Sequence, residues 1–174
     1  MNSDFELVQI VDAALAEAAH RSGAWLVCRT GCTQCCHGPF EITQLDAQRL
    51  RKGIAELEGH DPPRAAAVRE RARHATQLTN FGDDDPCPAL DPETGRCDLY
   101  TWRPITCRCF GPPVLCDSGA LGVCELCYDG ASDEEIAACL VEFDPEGLET
   151  VLIDALQRET GVRGMTTVAL SLVS

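Results

Sequence analysis

Apolar side chains recur at helical spacing in five stretches of the chain, on either side of one long stretch that has no period. Leu7, Val11, Ala14 and Ala18 fall three or four residues apart up to Gly23, and Ser3 and Glu6 have the spacing of a capping box, which predicts a first amphipathic helix. A second helix is predicted from Thr43, spaced for capping with Asp46, through Leu50, Ile54 and Leu57 to Gly59. A third opens at Pro62-Pro63 and carries Val68, Ala72, Ala75 and Leu78; so short a turn between the two predicts an antiparallel helical hairpin. Helical signals return at Ser132, with Glu135 as capping partner and Ile136 and Leu140 following. They return again at Asp144-Pro145, followed by Leu148, Val151, Leu152, Ala155 and Leu156 up to Gly161. The tail from Met165 to Val173 reads as a short strand or an extended arm. The predicted fold class is mainly α: a small helical domain with long cysteine-rich loops stapled by metal.

The stretch without a period is 82–130, which holds 6 Pro, 6 Gly and 7 Cys. A loop of that length does not stand unsupported in a compact domain, so bonds other than apolar packing are expected to pin it. Length adds that the 174 residues fit one domain, read here as a cysteine-cluster core over 28–110 and a C-terminal extension over 111–174.

Charge narrows the partners. The net charge is −14, and the half from residue 80 onward carries 18 acidic and 5 basic side chains. Phosphate backbones and anionic lipid surfaces attract basic proteins, so nucleic acid and membrane are excluded as expected partners. The first fifteen residues hold Asp4, Glu6 and Asp12 and no basic residue, unlike a secretory signal, and the longest uncharged run is eleven residues, Gly164 to Ser174. A cytoplasmic location is expected, where thiols stay reduced and clustered cysteines bind metal more often than they form disulfides.

The 12 cysteines are the chemistry of this chain. The first group is Cys28-x3-Cys32-x2-Cys35-Cys36. Spacings of two or three residues let a short loop aim two thiolates at one ion at little closure entropy, whereas adjacent cysteines bridge to each other only with strain. The second group is Cys87, Cys97, Cys107 and Cys109, set in Cys87-Pro88-Ala89-Leu90, Arg96-Cys97-Asp98-Leu99-Tyr100 and Arg103-Pro104-Ile105-Thr106-Cys107-Arg108. Arg103, Arg108, Tyr100 and Trp102 gather there, and guanidinium charge beside thiolates would offset the charge of a metal cluster. The third group is Cys116, Cys124-x2-Cys127 and Cys139; its C-x2-C is a chelating knuckle, and Cys139 has a rival reading as a core residue on a helix face. Cys109 shares a face with Cys107 if that stretch is extended. His37, next to the adjacent pair, is placed to donate to a sulfur or replace a ligand, while His20, His60 and His74 read as solvated helix residues.

A cysteine cluster ending in an adjacent pair, followed some 50 residues later by C-P-x-L, R-C-x-x-Y and R-P-x-x-C-R, resembles the YkgJ-type cysteine-cluster family, whose members are described as zinc- or iron-chelating. The resemblance covers about 28–110 and implies Cys28, Cys32, Cys35, Cys36, Cys87, Cys97 and Cys107 as metal ligands. The usual first motif of that family is C-x2-C-x2-C-C, and this chain has one residue more between Cys28 and Cys32. Spacing adds Cys116, Cys124, Cys127 and Cys139 to the candidate ligands.

All-sulfur ligation suits zinc and iron-sulfur clusters alike, and the sparse histidines argue against imidazole-rich sites. The C-x3-C-x2-C opening favours an iron-sulfur cluster of the 4Fe-4S type, with zinc as the alternative. Three functions follow: a redox or accessory module serving a partner protein; a metal-dependent modifying enzyme, since some proteins resembling this family act as flagellin lysine methylases and radical S-adenosylmethionine enzymes share the C-x3-C-x2-C spacing; or a structural zinc domain. The chain is short for a radical-enzyme barrel and lacks strand-helix alternation. It also lacks H-E-x-x-H and the deaminase pattern, so hydrolytic zinc chemistry is not expected.

Overall fold

Capping and periodicity place most of the helices where the pattern puts them. A computed structural model describes residues 3–78, 82–115 and 121–173, and these are mainly α. The helices are α1 (Ser3–Ser22), α2 (Gln44–His60), α3 (Pro62–Gln77), α4 (Ile105–Arg108), α5 (Asp133–Ala138), α6 (Leu148–Thr160) and α7 (Val168–Val173). Six two-residue strands form three antiparallel pairs: β1 (Glu41–Ile42) with β6 (Thr166–Thr167), β2 (Leu90–Asp91) with β3 (Arg96–Cys97), and β4 (Val114–Leu115) with β5 (Leu121–Gly122). No helix among the described residues is long and apolar enough to cross a membrane. The chain divides into two units, each made of two segments: unit 1 is Met1–Arg29 with Ile105–Leu152, and unit 2 is Thr30–Pro104 with Ile153–Ser174.

In unit 2, Thr43 caps α2 by accepting from the Asp46 amide at 3.1 Å, and Asp61 caps α3 by accepting from the Arg64 amide at 3.1 Å. The Asp46 carboxylate pairs with Arg49, and both side chains are buried. Ile42, Ala47, Leu50, Ile54, Ala65, Val68, Ala72, Ala89, Leu99, Val168 and Leu172 form one apolar core. Four of these positions lie on α2 and its approach, three on α3 and two on α7, so three helices enclose it. Gly53 lets the 3-10 turn Tyr100–Trp102 lie against α2; a Cβ there would stand 2.5 Å from Trp102 Cβ. Leu78, expected on the α3 stripe, falls beyond the helix end and is exposed.

The tail differs from its expectation. Only Thr166 and Thr167 are strand, paired with Ile42 and Glu41, and the rest is helix α7. Val168-Ala-Leu-Ser-Leu-Val173 has no two-residue alternation, and Thr167 caps it, accepting from the Leu170 amide at 3.1 Å. Helix α6 begins three residues later than Asp144-Pro145 suggests, because the Asp144 carboxylate accepts from the Leu148 and Glu149 amides at 2.9 and 2.7 Å and ends the loop there.

In unit 1, α1 buries Leu7, Val11 and Ala18, and α4 packs on it, with Arg108 donating to both Asp12 carboxylate oxygens at 2.7 Å. Ser132 and Glu135 form the expected capping box on α5. Cys127, Tyr128 and Cys139 make a second, small buried cluster, packed by Trp25, Leu26, Cys124, Ala131 and Ile136.

Candidate metal centre

Two cysteine motifs fifty residues apart come together in unit 2. The run 32–36 ends in a 3-10 turn, Gln34–Cys36, with the Cys36 amide donating to the Thr33 carbonyl at 2.8 Å. Directly after it, His37 pairs with Pro86 in an antiparallel bridge, and the Cys87 amide donates to the Cys36 carbonyl at 2.8 Å. Cys97 lies opposite Leu90 in the β2–β3 ladder, and the Asp98 amide donates to the Ala89 carbonyl at 2.7 Å, which holds the Cys97 loop against the Cys87 loop.

Helix α3 reinforces that junction. Arg71 donates to the Pro88 carbonyl at 2.8 Å and to the Asp98 carboxylate at 2.5 Å, and Arg64 donates to the other Asp98 oxygen at 2.5 Å. The Asp98 side chain is 2 % exposed. One guanidinium thus grips the residue following each of two cysteines. Sequence reasoning passed over Arg71 and Asp98; the available signal was an acidic residue directly after a ligand candidate, and an arginine three residues after Val68 on the core-facing side of α3.

The sulfurs of unit 2 are shaped by opposed effects. Burial pushes the Cys87 thiol up to about 11, opposed by the amides of Ala89 and Leu90, which donate to its sulfur, while the charge of Cys97 adds to the rise. Burial also raises Cys97, opposed by the Leu99 amide and by Arg103 and Arg64. Cys35 is raised first by its hydrogen bond with Cys36 and then by burial, and Arg103 opposes that rise too. Arg103 therefore acts on Cys35 and Cys97 alike, as expected of a cation beside a thiolate cluster, and it is held over the Tyr100 ring at 3.9 Å. Arg108 does not join it, because it is buried in unit 1 against Asp12. Trp102 packs on Gly53 instead.

Unit 1 holds a second set. Cys28 Sγ stands 4.0 Å from Cys127 Sγ. Cys124 and Cys127 form a tight knuckle, with the Cys127 amide donating to the Cys124 carbonyl at 2.9 Å. Burial raises both thiols; the Leu126 and Cys127 amides oppose the rise at Cys124, and the Val27 amide opposes it at Cys127. Cys139 is buried at the end of α5 and hydrogen-bonded to Tyr128. Cys107 lies on α4 and is half-buried; because that stretch is helical, not extended, Cys107 and Cys109 do not share a face. Cys116 lies outside the described residues. His37 Nδ1 is engaged by the Thr33 carbonyl at 3.0 Å, so any ligation by this ring would fall to Nε2.

No disulfide joins the eleven described cysteines. Among the described residues, Cys, His, Asp and Glu side chains approach in pairs and not in threes around one point. The donor chemistry nonetheless fits zinc or iron. Soft sulfurs are gathered by backbone pairing, and amides two and three residues ahead point at the sulfur of Cys87 and of Cys124, which stabilises a thiolate once a metal displaces its proton.

No curated protein and no solved structure matches the chain. Residues 27–127 match the CxxCxxCC family, described as "Putative zinc- or iron-chelating domain", a span containing every cysteine except Cys139. With more than half of its length inside that match, and the family's cysteine motifs joined by the Cys36–Cys87 backbone pairing, the chain belongs to the CxxCxxCC family.

Proposed function

We propose that four of the five cysteines Cys32, Cys35, Cys36, Cys87 and Cys97 provide the ligands of an iron-sulfur cluster of the 4Fe-4S type, and that the protein is a cytoplasmic redox or accessory module serving a partner protein. The observation that carries this reading is the hydrogen bond from the Cys87 amide to the Cys36 carbonyl, which brings two distant motifs to one place. The shared influence of Arg103 on Cys35 and Cys97 supports a cluster, since a cluster bound by four thiolates carries excess negative charge that a guanidinium offsets. When bound, a cluster supplies one-electron transfer; the chain's own residues set its potential through Arg103, the amide donors and burial.

A structural zinc site is the second reading. Cys87 and Cys97 pack directly on the unit 2 core, the place where a cross-link stabilises a fold most. Metal and acid-labile sulfide analysis of anaerobically purified protein separates the two. Iron and sulfide in equal amounts support the cluster, and zinc without sulfide supports the staple. Absence of both, with thiols freely reactive in the native protein, rules out chelation.

A further inference from the structure

The motif cysteines of this family are counted as one run, yet Cys28 parts from that run. Its sulfur meets Cys127, ninety-nine residues away and in the same unit, at 4.0 Å. Two thiolates bound at 2.3 Å to one tetrahedral ion stand about 3.8 Å apart. In a cluster each thiolate binds its own iron, so neighbouring thiolates are spread wider than this. The spacing of Cys28 and Cys127 is that of two ligands on a single ion.

We propose that unit 1 carries a second and independent metal centre, a single divalent cation of the zinc class held by Cys28, Cys124, Cys127 and Cys139. It extends the chelation reading to another site and does not depend on which metal unit 2 holds. Cys124 and Cys127 supply the knuckle, their sulfurs receiving amides from Leu126, Cys127 and Val27. Gly111 keeps the Cys28 side open: a Cβ there would lie 3.2 Å from Cys28 Sγ and 3.1 Å from Leu26 Cδ1, and its φ of +121° disfavours any side chain. Directly after the knuckle, Tyr128 takes a left-handed backbone, φ 61°, unique among the described non-glycine residues. That turn sends its ring inward, where the hydroxyl bonds Ser22 and Cys139 and its amide donates to the Trp25 carbonyl at 3.0 Å. Tyr128 therefore ties together the three segments that bear these cysteines: the end of α1 with the Cys28 loop, the knuckle, and the end of α5 bearing Cys139.

The test uses the full chain, purified with zinc present, and measures zinc per chain together with the thiolate-to-metal absorption after exchange with Co2+. The proposal expects one zinc equivalent that survives Cys97→Ser and is lost in Cys28→Ser and in Cys124→Ser, with the double variant losing no more than either alone. Cys28→His, which still offers a ligand, should keep that equivalent with weaker cobalt-thiolate absorption, and this holds the test open if Cys28→Ser fails to fold. Zinc retained in Cys28→Ser overturns the proposal. So does loss of all metal in Cys97→Ser, which would mean one shared site. If instead wild-type protein binds no metal anywhere, the chelation reading itself fails.

Discussion

Cys87 concentrates the chemistry of unit 2 on one sulfur. Burial raises its thiol to about 11 although two amides and Arg71 favour the thiolate, so at neutral pH the metal-free site holds its proton. Metal binding must displace it, and affinity is expected to fall as pH is lowered. The same shift acts on the fold. The folded value lies above the ordinary 9.0, so its stabilising contribution is complete below about pH 9 and is lost as pH rises through 11. Metal-free protein should lose about 2–3 kcal/mol between those values through this one group, and Cys87→Ser should lack that part of the alkaline loss when both are unfolded with urea across the range. The letters C-P-x-L announce a ligand, but they do not announce the amides of Ala89 and Leu90, because a turn's hydrogen bonds to its own sulfur have no counterpart in apolar periodicity.

Helix α3 shows how a regular element serves an irregular site. Val68, Ala72 and Ala75 of its apolar stripe are legible because three- and four-residue spacing is a property of the sequence itself, whereas Ala65, the fourth buried position, sits in the first turn behind Pro62-Pro63 where the spacing has only begun. The grip of Arg71 on Pro88 and Asp98 is not legible, since it joins segments 17 and 27 residues apart through a backbone carbonyl and a carboxylate that no period relates. Arg71→Ala is expected to weaken metal retention in unit 2 by about 10- to 100-fold, the usual cost of removing a group that holds ligands in place. Arg71→Lys should recover only part of it, because an ammonium cannot span both acceptors in one plane. Arg69→Ala, on the same helix, removes a surface pair with Glu58 of α2 and should change stability by less than about 1 kcal/mol and leave metal retention intact. A competition titration against a chromophoric chelator measures all three. The tail reads as a strand or arm in sequence because six residues are too few to display a helical period, and its cap, Thr167, is also the partner of Glu41 in the β1–β6 pair.

At the scale of the whole molecule the helical class was readable, whereas the assignment of cysteines to units was not: Cys28 is four residues from Cys32 in sequence, yet it belongs with 105–152. The acidity follows the same division, with 14 acidic and 3 basic side chains in unit 1 against 14 and 11 in unit 2. Beside the buried face of α1, unit 1 holds a cluster of which two of three members are cysteines, Cys127 and Cys139, while the eleven residues of the unit 2 core are all apolar. Chelator treatment should therefore open unit 1 first, and limited proteolysis followed by mass spectrometry should find early cuts within 121–147 while 44–77 stays protected. The two-segment construction of unit 2 bears, finally, on the order of events during synthesis. Val168 and Leu172 of α7 complete a core whose other walls end at Leu99, so the ribosome must make about seventy more residues before that core can close. At 5–20 residues per second this is a delay of roughly three to fourteen seconds, during which five cysteines wait on an unfinished scaffold. Metal captured in that interval would be held by local loops alone until the last helix docks.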